Sequence, residues 1–148
     1  DSTSYIYIDS LGINSSEGEL TLDTVESHRG MSLHMRLKEF VSCRFWLGEG
    51  FYNLSKMEEF AFYAKGSGFI RVEFGTAERQ FSERRIWIPE EWSRVSFPVD
   101  SITIMDSTTS LIWQDVNHNV SHFSIRANDD MDLWIDEIHI RGPQYGDL

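Results

Sequence analysis

The chain has 148 residues, 41% of them hydrophobic and 25% charged, a length that fits one domain and a balance that buries a core. Disorder, collagen-like structure and coiled coil are excluded, and no apolar run approaches the roughly 20 residues of a membrane-spanning helix. With 13 Lys and Arg against 24 Asp and Glu, the net charge is −11. That argues against nucleic acid, anionic membranes and polyanionic polysaccharides, unless calcium bridges the charges.

In chain order, alternation with a period of two and a β-rich composition predict strands over Tyr5–Ile8, Glu19–Val25, Met31–Leu37, Ser42–Leu47 and Glu58–Lys65. They continue over Phe69–Phe74, Gln80–Ile88, Ser93–Val99, Val120–Ala127 and Leu133–Ile140. Turn signals fall between them at Ser15-Ser16-Glu17-Gly18, His28-Arg29-Gly30, Gly48-Glu49-Gly50, Lys65-Gly66-Ser67-Gly68 and Asn128-Asp129-Asp130. Leu54–Glu59 is the place for a short helix. The pattern predicts an all-β chain, a single two-sheet antiparallel β-sandwich of jelly-roll type over residues 1–148. The opening Asp1-Ser2-Thr3-Ser4 has neither Met nor the flanks of a signal peptide. A module cut from a larger protein is expected.

Alternation also sorts the faces of each strand. Phe60, Phe62 and Ala64 point one way and Ala61, Tyr63 and Lys65 the other. Ile70, Val72 and Phe74 go in, leaving Arg71 and Glu73 out. Cys43, Phe45 and Leu47 go in, leaving Arg44 and Trp46 out. Ile86 and Ile88 go in, leaving Arg85 and Trp87 out. Phe123 and Ile125 go in, leaving His122, Ser124 and Arg126 out. The outward set is thus rich in Trp, Tyr, Arg and His, unlike an ordinary solvated sheet. Aromatic residues make up 14% of the chain, with five Trp. Burying all five indoles whole would require a partner for each N–H, so some are expected at the surface.

Three stretches carry a resemblance. Phe60-Ala61-Phe62-Tyr63-Ala64-Lys65-Gly66-Ser67-Gly68 followed by Ile70-Arg71-Val72-Glu73-Phe74 resembles the "sFwvKGdG…irvql" hairpin of galactose-binding-like jelly rolls. Glu91-Trp92-Ser93-Arg94-Val95-Ser96-Phe97-Pro98 is similar to their "eWkrvsiPf" strand, and Leu133-Trp134-Ile135-Asp136-Glu137-Ile138-His139-Ile140 to their closing "vyiDdIel" strand. The order and spacing agree over about residues 55–142. Families with this pattern include non-catalytic carbohydrate-binding modules of plant-cell-wall hydrolases, such as family 11, and the complex I intermediate-associated domain.

The resemblance implies a sandwich that binds polysaccharide on the concave outer face of one sheet or in loops at its rim. Physical chemistry is compatible with this. A pyranose has an apolar face of axial C–H groups, which a flat aromatic ring matches in area and polarity. Planar polar side chains then serve the hydroxyl rim. Trp46, Trp87, Trp113 and Tyr63 are the candidate platforms, with Tyr52 after the Gly48–Gly50 turn as a further one. The alternative for Trp46 and Trp87 is packing under a loop or along the sheet rim. Arg71, Glu73, Arg126 and Gln114 are candidate hydroxyl partners; the first three could equally form a salt-bridge ladder across strands. Trp134 could face either way, and the resemblance implies a structural plug at Trp92. It also implies a calcium site in many such folds, here through Asp136 with Asp9 or Glu26.

The expected function is non-catalytic binding of cell-wall polysaccharide, with β-1,4-linked glucans foremost (cellulose chains, mixed-linkage glucan or xyloglucan). The partner set is that polysaccharide and a catalytic module in the same polypeptide, outside the cell, with the module itself a monomer. No cofactor is required; the calcium that the resemblance implies would be structural. The five His show no metal-ligand spacing, and no phosphate loop or nucleophile motif occurs. Lone Cys43 in an apolar run reads as a small buried hydrophobe. The other readings are a jelly-roll glycosidase or lyase domain, working through facing carboxylates, and a protein-interaction domain of the complex I assembly type.

Overall fold

A computed structural model describes residues 3–5, 10–13, 18–23, 27–28, 30–47, 53–76, 80–82, 85–104 and 112–142. Numbered along the chain, the strands are β1 Thr3–Tyr5, β2 Ser10–Ile13, β3 Glu19–Asp23, β4 Ser32–Leu37, β5 Ser42–Trp46, β6 Glu59–Lys65, β7 Gly68–Thr76, β8 Gln80–Ser82, β9 Ile86–Ile88, β10 Ser93–Pro98, β11 Thr103–Ile104, β12 Val120–Ala127 and β13 Met131–Arg141. One short helix, α1 Trp113–Val116, precedes β12. Sheet A has the spatial order β10-β6-β13-β4-β3, with β1 on the far half of β13. Sheet B has the order β11-β8-β7-β12-β5-β2, with β9 beside β7. Every pairing is antiparallel. The predicted β-sandwich of jelly-roll type is the fold found.

The core lies where the inward sets of the two sheets meet. Phe60, Phe62, Phe74, Phe97 and Phe123 are buried together, and Phe60 packs on Phe123 at 5.1 Å and on Phe74 at 5.3 Å between ring centroids. Leu133, Ile135, Met35 and Leu37 extend it in sheet A, and Cys43, Phe45, Val72 and Ile125 in sheet B. Alternation places Phe74, Phe123, Cys43, Phe45, Val72 and Ile125 inside and sets Phe60 and Phe62 on one side of their strand. Burial pushes the Cys43 thiol up to about 12, so it is no nucleophile at neutral pH.

Several local expectations differ from what forms. Lys65–Gly68 is no hairpin turn: β6 lies in sheet A and β7 in sheet B, so the segment is a corner between sheets. The Gly66 N–H donates to Pro89 O at 2.8 Å, a partner far along the chain. Two other corners join it. Phe69 N–H donates to Asp129 Oδ2 and Glu39 N–H to Asp130 Oδ1, each at 2.8 Å. The Asn128–Asp130 turn therefore closes the β4–β5 and β6–β7 corners with its carboxylates. Leu54–Glu59 makes a turn with Met57 N–H on Leu54 O, not a helix. Alternation does not announce β2 or β11; β11 has two residues, too short to display a period.

The predicted strand over Gln80–Ile88 forms as two. Gln80, Phe81 and Ser82 pair with Gly75, Phe74 and Glu73, whereas Ile86, Trp87 and Ile88 pair with Ile70, Phe69 and Gly68. The register slips by one residue between them, as in a β-bulge. Similar shifts occur in β12 between Val120 and His122, and in β13 between Asp136 and His139. The last contains Glu137 at φ 52°.

Candidate functional site

The outward residues of sheet B fall into rows set by register. Trp46 lies opposite His122, and His122 opposite Gly75. Two residues along, Arg44 faces Ser124, and Ser124 faces Glu73; the next row is Ser42, Arg126 and Arg71. The last row pairs Phe69 with Trp87. Because successive outward residues are two apart, all of these share one face. Trp46 is 39% and Trp87 51% exposed, whereas Glu73, Ser124, His122 and Ser42 are buried. The face therefore has open aromatic rings at two ends and a recessed polar floor between them. From Phe69 to Gly75 is six residues along β7, and from β9 to β5 is three strands across. That sets the two indoles about 20 Å apart along the strands and about 14 Å across them.

Each end is braced differently. At the first, the His122 ring lies over the β7 backbone, so close that a Cβ on Gly75 would fall 2.0 Å from His122 Cε1. Glycine is required there for close approach of a ring, not for a special φ. Trp46 leans on His122 at 4.9 Å, and the Arg44 guanidinium lies 5.3 Å from the Trp46 ring centroid. Burial, with Arg44 nearby, lowers His122 to about 4, so the imidazole is neutral at ordinary pH. At the other end, Trp87 meets Phe69 edge to face at 4.9 Å, and Arg85 stacks over Phe69 at 4.3 Å. On the floor, Arg126 Nε donates to Glu73 Oε1 at 3.0 Å. Arg71 Nε is buried with no hydrogen-bond partner.

The expected site residues divide among these places. Trp46, Trp87, Arg71, Glu73 and Arg126 come together on sheet B. Tyr63 does not join them. It lies on the outer face of sheet A, where the His28 ring covers it at 3.9 Å and nearly parallel. Trp113 is a correction. The sequence places it exposed on a loop, but α1 turns it inward and it is 2% exposed, packed on Phe74 at 5.3 Å. Four helical residues are too few to reveal a helical period in sequence. Gln114 is exposed on α1, beside an indole that faces away from solvent, so the two do not make a platform with its partner. Tyr52 lies outside the described residues.

The outer face of sheet A is aromatic too, but its rings are already covered. Trp134 has His34 stacked on it at 4.2 Å from β4 and Lys65 at 4.8 Å from β6, the two strands that flank β13. Its Nε1–H donates to Asp23 Oδ2 at 3.1 Å. Trp92 is half-buried near His28, at 5.9 Å, on the outer side rather than plugging the core. A cleft of about 450 Å³ at the β3–β4–β13 edge holds Arg36, Asp132, Lys38 and Asp130. Its charges pair with one another: Arg36 with Asp132 at 3.2 Å and Lys38 with Asp130 at 3.6 Å.

Asp136 is buried, and its Oδ1 accepts the Glu137 N–H at 2.8 Å. Among the described residues no group of three His, Cys, Asp or Glu side chains could hold a metal ion. Calcium takes six to eight oxygens, backbone carbonyls among them, and the carboxylates expected beside Asp136 are not among these residues. Asp9 and Glu26 lie outside the described residues.

Solved structures share this architecture. The family 11 carbohydrate-binding module from Clostridium thermocellum, in complex with a β-1,3-1,4-mixed-linked tetrasaccharide, superposes with a TM-score of 0.70 at 14% identity, covering 92% of this chain and 91% of that one. The family 30 module of the cellulosomal cellulase Cel9D-Cel44B of Clostridium thermocellum gives 0.67 at 15% identity, covering 96% and 98%. A family 29 module, in a mutant form, gives 0.61 at 12% identity, covering 95% and 92%. The fold is the jelly roll of carbohydrate-binding modules. No protein-family model and no curated protein sequence matches the chain. The likeness to carbohydrate-binding modules implied by the hairpin, "eW" and closing-strand stretches is thus a likeness of fold, carried at low identity.

His122, Arg44, Ser124, Ser42, Phe69, Gly75 and Arg85 are members of this face that the sequence left out of the candidate site. Alternation does put His122 and Arg44 outside. What it does not show is that His122 stands next to Trp46 in space, because β5 and β12 are far apart in the chain.

Proposed function

We propose that this chain is a non-catalytic carbohydrate-binding module that holds a polysaccharide against the outer face of sheet B. The observation that carries the reading is the pair of exposed indoles, Trp46 and Trp87, at opposite ends of one recessed polar floor. Each indole offers a flat apolar area to the C–H face of a sugar ring, while Arg71, Arg126, Ser124 and Glu73 meet hydroxyls between them. Each stacked ring contributes on the order of 1 kcal/mol. Two such rings with a few hydrogen bonds give an affinity of roughly micromolar to millimolar. A diagonal of about 25 Å between the indoles suits an extended chain rather than a chain end.

The favoured ligand backbone is a β-1,4-linked or mixed-linkage glucan. The mixed-linked tetrasaccharide bound by the family 11 module of the same fold supports this choice. The role is to keep an attached cell-wall enzyme near its substrate outside the cell; a family 30 module of the same fold is part of a cellulosomal cellulase.

Native affinity electrophoresis against a panel of β-glucans tests the reading. The parent chain is expected to be retarded, and Trp46→Ala and Trp87→Ala each to lose most of that retardation. Leu22→Ala removes an exposed side chain on sheet A and is expected to migrate like the parent. Equal migration of the parent in gels with and without every polysaccharide refutes the function. Retarded parent with unaffected Trp variants refutes the face.

A further inference from the structure

The floor of the sheet B face holds more positive charge than a purely neutral ligand would call for. Among its described residues there are three guanidinium groups, Arg44, Arg71 and Arg126, against the single carboxylate of Glu73. This is a chain whose acidic residues outnumber its basic ones by 24 to 13, so a local excess of cations runs against the background. A salt-bridge ladder explains one of the three: Arg126 donates to Glu73 at 3.0 Å. It does not explain the others. Arg71 lies directly opposite Arg126 across β7 and β12, a like-charge juxtaposition that is itself destabilising. Its Nε is buried with no hydrogen-bond partner. Arg44, one row further, rests on the Trp46 ring and has no carboxylate partner among the described residues.

We infer that this floor contains a carboxylate subsite, formed by Arg71 and Arg44 between the two indole platforms, and that the polysaccharide bound here carries uronic acid groups on its otherwise neutral chain. The inference rests on the reading of this face as a polysaccharide site. A guanidinium fork matches a carboxylate with two parallel N–H···O bonds, and the recessed floor strengthens them by excluding water. An anion at this place relieves the Arg71–Arg126 repulsion. The net charge of −11 disfavours a dense polyanion, but at ~0.1 M salt it is screened beyond about 10 Å. A sparsely substituted chain, with one carboxylate per site, therefore meets the local field of the floor and not the global one.

The experiment compares three ligands on the unaltered protein. They are an unsubstituted β-linked polysaccharide, the same backbone bearing glucuronic acid side groups, and that substituted chain with its carboxyl groups reduced to primary alcohols. The substituted chain is expected to bind about tenfold or more tightly than the reduced one. The excess is expected to shrink between ~0.05 and ~0.5 M salt, while binding of the neutral chain holds steady. Arg71→Gln and, separately, Arg44→Gln are expected to bring the affinity ratio between the substituted and the reduced chain to near one, whatever each does to binding of the neutral backbone they share. Equal affinity for the substituted and reduced chains, with the same salt dependence, overturns the carboxylate subsite and leaves the polysaccharide reading standing. Binding of the neutral backbone with exclusion of the substituted chain does the same. Failure of all three ligands to bind overturns both.

Discussion

Replacing His122 with Gln probes the part of the site where chemistry is most sharply defined. The imidazole is 9% exposed, lies over the Gly75 backbone and sits near the Arg44 guanidinium. Desolvation first, and Arg44 second, lower its pKa from 6.5 to about 4. In the unfolded chain the ring takes a proton as pH falls through about 6.5; in the folded chain it refuses one until about 4. Between these values the unfolded state binds more protons, so stability falls as pH falls and then levels off. At about 1.4 kcal/mol per pKa unit, the loss amounts to about 3 kcal/mol between about pH 7 and about pH 4. Carboxylates complicate the acid end. Glu59 is held below its usual range by Arg94, and Asp132 by His34 and Arg36 despite its partial burial. Their stabilisation disappears as pH drops through their lowered values. Subtracting the curve of His122→Gln cancels those shared contributions. The assay is urea unfolding of both chains at half-unit steps from about pH 7 to about pH 4. The parent is expected to lose about 3 kcal/mol more than the variant over that span. Two curves that fall in parallel refute the argument, because the ring would then be protonated as freely in the folded state as in the unfolded one.

Gly75→Ala would bring a methyl to 2.0 Å from His122 Cε1, so the ring or the β7 backbone must move. The expected cost is about 1–3 kcal/mol by thermal unfolding, with weaker polysaccharide retention because Trp46 loses its neighbour; unchanged stability would show that the ring does not lie there. Trp113→Ala empties a core position against Phe74. A loss of about 3–5 kcal/mol is expected, with ligand affinity intact in the fraction that folds. An affinity loss without a stability loss would return Trp113 to the surface.

The inward half of each strand was legible because a buried sheet face imposes a strict period of two on the sequence. Phe60, Phe62 and Ala64, or Phe123 and Ile125, are apolar at every second place, and all are buried. The same pattern puts Trp46 and Trp87 outside, and they are exposed. What alternation does not encode is which sheet a strand enters. Tyr63 and Trp46 are both outward, yet they stand on opposite surfaces of the sandwich, since β6 pairs with β10 and β13 while β5 pairs with β12 and β2. Those pairings are between segments remote in sequence. The Lys65–Gly68 segment misleads for the same reason: its glycines announce a reversal, but the Pro89 carbonyl that receives the Gly66 amide decides that the chain crosses to the other layer. Trp113 misleads because a single helical turn carries no repeat, and only the Phe74 ring against it reveals where it points.

The one-residue slip between β8 and β9 has a consequence of parity. Continued without interruption from Gln80, the ladder would set Ile86 opposite Phe69 and turn Trp87 towards the interior. The odd residue reverses that choice and places the indole in water. It follows that removing one residue between the two ladders would bring them into a single register, with Trp87 still across from Phe69. Losing two would leave an even count on the wrong phase, exchanging the indole for its aliphatic neighbours. Length variation at this edge is thus read by the fold as odd or even, not as more or less.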